Sequence, residues 1–234
     1  MVETGPVSGF ADVRTELERG NRVLLFVRHA ERPRIDQEDP TFGAALPITE
    51  NGKRMCEDFG AALKGASGDV QFLASPLRRT VMSARHIAIG MGLPDAEIPE
   101  DDRIGNGSAF IADVVKVWQL FRDHGFFSHM TEYMRNGVLD GFAPNGEAAD
   151  AYEEYALSKF HAQLGVFSTH DVYIAAFLFA RKVKTDWSPD NWPRFLDAAM
   201  VVLEPSGARR YALLRAGLSD LAIGVDAVNG QGTP

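Results

Sequence analysis

Three short stretches of the chain hold side chains that could together handle a phosphoryl group. Arg28-His29-Ala30-Glu31-Arg32-Pro33 follows the apolar run Val23–Val27, and Ser75-Pro76-Leu77-Arg78-Arg79-Thr80 follows Val70–Ala74. Ser168-Thr169-His170-Asp171 follows Leu164–Phe167. A guanidinium presents a planar donor fork that matches phosphate oxygens, each charge-assisted bond contributing roughly 1.5–3 kcal/mol. A neutral imidazole held among arginines can attack phosphorus and carry the phosphoryl group covalently. The same arginines keep that imidazole from protonating, because a nearby like charge disfavours the charged form. A second imidazole can donate a hydrogen bond to the equatorial oxygens. A carboxylic acid must then protonate the leaving alkoxide, an effect worth about 10²–10⁴-fold.

For these groups to meet, the elements before them must end at one edge. Short unbroken apolar runs are the pattern of strands buried on both faces, and Met200–Leu203 and Tyr211–Leu214 add two weaker ones. Between the runs lie helical periods. Met55, Cys56, Phe59, Ala62 and Leu63 share one face behind a capping Thr49. Leu77, Val81, Ala84, Ala88 and Met91 form a second stripe; Tyr152 to Phe160 and Ile174 to Phe179 suggest two more. Strands alternating with helices predict a three-layer α/β/α sandwich around a mostly parallel sheet. Ligands of such sheets bind beyond the carboxyl ends of the strands, where the three stretches would converge. Residues 104 to about 146 break the alternation and are rich in Phe, Met and Trp, including Phe110, Trp118, Phe121, Phe126, Phe127, Met130 and Met134. They are expected to form a helical insert over the active-site end, their aromatics mostly insert core. A single domain over 1–234 is expected.

The segments Arg28–Glu31, Ser75–Thr80 and the post-strand His170, in this order, resemble the histidine phosphatase superfamily, which groups phosphoglycerate-mutase-like and acid-phosphatase-like enzymes. Leu46–Gly52 is similar to the family's L-T-x-x-G opening of the first helix, and Pro144–Glu147 to its G-G-E. The resemblance spans roughly residues 22 to 205. It implies that His29 is the nucleophile, that Arg28 and Arg79 bind the phosphoryl group, and that His170 is the second histidine. Arg78 would then point to solvent. Alanine stands at position 30 where the family usually has glycine. In the mutase-like branch the proton donor is a glutamate in a segment resembling R-L-x-E; here Arg103-Ile104-Gly105-Asn106 stands there, without an acid. The His170-Asp171 pair resembles the acid-phosphatase-like branch instead, as does R-H-x-x-R at 28–32. By this resemblance Asp171 is the general acid and Arg32 a further phosphate ligand, with Glu31 and Glu147 as alternative acids.

The resemblance implies a phosphomonoester hydrolase acting on a small molecule; the alternatives are a phosphomutase using the same intermediate and a non-catalytic module that binds a phosphorylated ligand. No cofactor is expected. No H-E-x-x-H or paired-Cys spacing exists, so no metal site is expected either. A net charge of −8 over 234 residues argues against a general nucleic-acid binder, while a local arginine cluster can still attract phosphate. No stretch approaches the roughly 18 apolar residues of a membrane span, and the polar N-terminus lacks an apolar h-region, which leads to the expectation of a cytoplasmic protein. The single Cys56 excludes an intramolecular disulfide. His86 and His161 read as surface or packing residues, and His124 and His129 as candidates to approach substrate from the insert.

Overall fold

A computed structural model describes residues 8–36, 39, 41 and 43–217. Its elements run α1 (Phe10–Glu18), β1 (Arg22–Arg28), α2 (Glu50–Leu63), β2 (Val70–Ala74), α3 (Arg78–Met91), α4 (Val114–His124), α5 (Phe126–Asn136), α6 (Asn145–Lys159), β3 (Leu164–Thr169), α7 (Asp171–Ala180), β4 (Ala198–Leu203) and β5 (Arg209–Leu214), with a 3₁₀ turn at Asp102–Ile104. All five apolar runs are strands. The sheet order is β2-β3-β1-β4-β5. β1 pairs parallel with β3, and β3 with β2, whereas β4 runs antiparallel to both β1 and β5. The sheet is therefore mixed, with β4 alone reversed. β4 joins the sheet directly beside β1 and returns to β5 through the short turn at Glu204–Ala208, as an antiparallel connection allows.

Alternation along the strands divides the core in two, because successive side chains point to opposite faces. Val23, Leu25 and Val27 of β1 pack with Met55, Phe59 and Ile87 under α1, α2 and α3. Leu24 and Phe26 face the other way, among Tyr152, Ile174 and Phe177 of α6 and α7. This is the three-layer arrangement expected. Helix α1 falls in a segment read only as polar; it buries just Val13, Glu16 and Leu17, too narrow a stripe to stand out.

α2 and α3 lie against each other unusually closely. A methyl group added at Gly60 would run into the Ile87 carbonyl and the Met91 nitrogen, and one at Gly90 into Glu57 backbone. Thr49 caps α2, its hydroxyl accepting from the Gly52 N–H at 2.9 Å. In the 104–146 region α4 and α5 are the helices, and Phe110, Met130 and Met134 join the core beside α6 and α7. Among the described residues no helix is long and apolar enough to cross a membrane.

Candidate active site

The strand register brings the two histidines together. Arg28, last in β1, pairs with Thr169, last in β3. One step further the ladder continues: the His29 N–H donates to the Thr169 carbonyl at 3.0 Å, and the Ser75 N–H to Ser168 at 3.0 Å. His29 and His170 thus leave adjacent parallel strands at the same level, with Ser75 one residue short of them on the third strand. The His29 and His170 rings meet edge to face with centroids 5.6 Å apart. Both side chains are buried, as are those of Arg28 and Arg79.

Around them is a cavity of about 120 Å³ that opens to solvent, lined in part by Arg28, His29, Arg32, Arg79, His170 and Asp171. Arg79 comes from the first turn of α3, directly after the loop that follows β2, and its Nη1 donates to the Gly43 carbonyl at 2.8 Å. Arg78, its neighbour, is exposed. Arg28 is held from three sides. Its Nη1 donates to the Pro193 carbonyl at 2.6 Å, its Nη2 pairs with Asp171 Oδ2 at 3.1 Å, and its guanidinium lies 4.5 Å over the Phe195 ring. The loop that grips it is itself strained: buried Leu196 has a φ of 64°, costly for a side chain of its size. The charged side chains of this lining are three guanidinium groups and one carboxylate. That balance leaves two positive charges, complementary to a phosphomonoester dianion.

Hydrogen bonds orient both imidazoles. His29 Nδ1 lies 2.8 Å from the Ala30 carbonyl. A carbonyl only accepts, so Nδ1 carries the proton and Nε2 keeps its lone pair. Burial first, then the charges of Arg79 and Arg28, holds His29 well below the usual histidine range. It is therefore a neutral imidazole near pH 7, with the nucleophilic nitrogen bare. His170 Nε2 lies 3.0 Å from Ser75 Oγ, whose hydroxyl donates to Thr80 Oγ1 at 2.9 Å. Thr80 spends its own proton on the backbone carbonyl of Ser75 or Leu77, each at 2.6 Å. That order of donors makes His170 Nε2 the donor to Ser75. Burial, followed by Arg79 and Arg28, also holds His170 below its ordinary value.

The candidate acids separate clearly. Asp171, the first residue of α7, lines the cavity; besides Arg28, its Oδ2 accepts from Trp192 Nε1 at 3.0 Å and its Oδ1 from the Val172 N–H at 3.0 Å. Glu31 turns away to the start of α2, accepting from Thr49 Oγ1 at 2.6 Å and Asn51 Nδ2 at 3.1 Å. Glu147 sits exposed in the first turn of α6. Neither lines the cavity. Asn106, at the position where a mutase-like glutamate would stand, does line it, and its Oδ1 accepts from the Tyr173 hydroxyl at 3.2 Å.

Other sequence expectations fare unevenly. His129 does not approach the cavity; it is buried on α5, its Nδ1 near the Gly125 carbonyl. His124 has a side chain outside the described ones. His86 pairs with Glu57 across α2 and α3, and His161 is exposed. Cys56 is core, its thiol pushed up by burial. The large apolar side chains of the insert divide: Phe110, Met130 and Met134 are core, Phe121 belongs both to the core and to the cavity wall, and the partly exposed Trp118 and Phe126 line the cavity. The loop of Trp187, Pro189, Trp192 and Pro193 reads in the sequence either as one wall of the pocket or as a cover for the sheet end, and Trp192 lines the cavity, whereas Ser75, Thr80 and Phe195 carry no site assignment from the sequence. Phe195 lies far along the chain in a loop with no periodic signal, and nothing at its own position marks it. Ser75 and Thr80, in contrast, flank Arg79 in its motif. No group of three His, Cys, Asp or Glu side chains arranged to hold a metal ion occurs among the described residues.

Comparison with known proteins bears on the family profile and the fold. Residues 24–105 match the sequence profile of the Histidine phosphatase superfamily (branch 1). No curated protein sequence matches the chain. Among solved structures, a mycobacterial glucosyl-3-phosphoglycerate phosphatase is similar at 16% identity and a TM-score of 0.53, over 84% of this chain and 100% of that one. A phosphoglycerate mutase from Bacillus anthracis str. Sterne is similar at 13% identity and a TM-score of 0.54, over 86% of this chain and 95% of that one. A mutant phosphoserine phosphatase from Entamoeba histolytica, in complex with phosphoserine, is similar at 13% identity and a TM-score of 0.51, over 82% and 95% of the two chains. These likenesses concern the fold. The chain thus carries the histidine phosphatase superfamily pattern over residues 24–105 and folds as phosphoglycerate mutase does.

Proposed function

We propose that the protein is a phosphomonoester hydrolase that works through a phosphohistidine on His29. The observation that carries this reading is the facing pair of imidazoles at 5.6 Å within a cavity that Arg28, Arg32 and Arg79 also line. His29 Nε2 attacks phosphorus while the bond to the ester oxygen breaks. Arg28, Arg32 and Arg79 bind the equatorial oxygens, His170 joins them by turning its Nε2–H from Ser75 Oγ to a phosphoryl oxygen, and Asp171 gives its proton to the leaving alkoxide. Water then attacks the phosphohistidine, Asp171 takes a proton from it, and inorganic phosphate leaves with His29 restored.

Hydrolysis is favoured over mutase activity by Asn106. An amide can hydrogen-bond a substrate but cannot transfer a proton, so the mutase-like donor position is chemically inert here. A mere phospho-ligand binder would have no use for a bare, neutral Nε2 on His29. The test is incubation with an activated aryl phosphate, measuring free phosphate and acid-labile phosphate on the protein. His29→Ala is expected to abolish the acid-labile phosphate and lower turnover by about 10⁴-fold or more. Full turnover in that variant would remove His29 from the mechanism.

A further inference from the structure

Beyond its cationic end the cavity changes character. One stripe of α4, at spacings of three and four residues, supplies Val114, Val117, Trp118 and Phe121 to the wall, and Phe126 and Trp192 continue it. The opposite face of α4 carries exposed Lys116, Gln119, Arg122 and Asp123. Val117, Phe121 and Trp192 are buried, whereas Trp118 and Phe126 are partly exposed and Val114 is 38% exposed at the rim. Large apolar side chains lining a cavity that opens to solvent mark a surface shaped for an apolar ligand.

Most polar groups of this wall are already engaged, and the Asn106 amide N–H is the donor left to a ligand there. Trp192 Nε1 donates to Asp171, and Asn106 Oδ1 accepts from the Tyr173 hydroxyl. Among the described lining residues, the hydroxyls of a sugar or glycerol tail would face Val117, Trp118 and Phe121. Each hydroxyl buried without a partner lowers binding roughly fivefold to a hundredfold.

Resting on the phosphohydrolase reading, we propose that the substrates are phosphomonoesters of apolar alcohols, aryl or medium-chain alkyl. The phosphate would sit among Arg28, Arg79 and the two histidines, and the tail along α4.

The test is a series of n-alkyl phosphates from ethyl to octyl. Their leaving groups are chemically alike, so tail binding is the variable. Glycerol 3-phosphate, glucose 6-phosphate, phosphoserine and 3-phosphoglycerate are the polar comparators. The expected result is a kcat/KM that rises about two- to fourfold per added methylene, with the polar esters roughly a hundredfold below hexyl phosphate. Val114→Asp, at the exposed rim, and Trp118→Ser should each flatten the rise. Competitive inhibition by inorganic phosphate and the helical circular dichroism of each variant check that the fold and the anion site persist. A flat series, or a preference for any polar ester, overturns the proposal while leaving phosphate release intact. No phosphate release from any ester, with no acid-labile phosphate on the protein, overturns the hydrolase reading beneath it.

Discussion

Asp171 holds three partners at once: Arg28, the indole of Trp192 and its own neighbour's N–H. The first two fix Oδ2, and the third turns Oδ1. An acid so positioned matters most where the leaving group is poor, because an alkoxide needs its proton in the transition state and an activated phenolate does not. Asp171→Asn should therefore lower kcat on alkyl phosphates by about 10²–10⁴-fold, and on an activated aryl phosphate by less than about tenfold. Steady-state kinetics on both ester types check this, and equal losses would mean that Asp171 serves another purpose. At this scale the motif residues His29, Arg28, Arg79 and His170 were legible, because their types carry the chemistry. The indole that orients Asp171 was not, since a tryptophan 21 positions away gives no local sign of its partner.

At the scale of elements, α3 sets the position of Arg79, and α3 is set by α2. The two helices touch backbone to backbone at Gly60 and Gly90. Alanine is favoured over glycine in a helix interior by about 1 kcal/mol, but here the new methyl would meet backbone atoms that cannot turn aside. Overpacking of this kind typically costs about 1–3 kcal/mol, occasionally more. Gly90→Ala is expected to destabilise the protein by up to about 2 kcal/mol net of propensity and to weaken phosphate binding as α3 shifts. Urea unfolding midpoints and phosphate titration measure the two effects; a stabilised variant would mean that the helices part without strain. The stripes of α2 and α3 were readable from their period, yet the closeness of the helices was not. A glycine in a helical pattern signals nothing until the partner surface is known.

For the molecule as a whole, a net charge of −8 surrounds a buried cationic pocket. His29 and His170 both sit below their ordinary value, through burial and then the charges of Arg79 and Arg28. The unfolded chain therefore binds protons more readily than the folded one as the pH drops below about 6.5. The stability these neutral imidazoles contribute is complete above that value and is lost as the pH falls toward their folded values. Each histidine contributes a slope of up to about 1.4 kcal/mol per pH unit in that window. Unfolding free energies between pH 7.5 and 5 should decline accordingly, and His29→Asn should make the decline shallower by up to one proton. An unchanged slope in that variant would show that His29 does not titrate with folding.

The residues after the three parallel strands, the period of each helix and the alternation of strands with helices are local properties, and the chain alone determined them. So were the chemistry of imidazole among guanidinium groups and the absence of an acid at position 106. Tertiary structure decided the rest: that β4 runs backwards, which carboxylate faces the histidines, and which insert aromatics leave the core to line the cavity. Sequence spacing sets which side of its own element a residue occupies. What stands opposite that side is set by packing between elements remote in the chain, as where Trp192 reaches Asp171 and α4 lines the same cavity as the histidines.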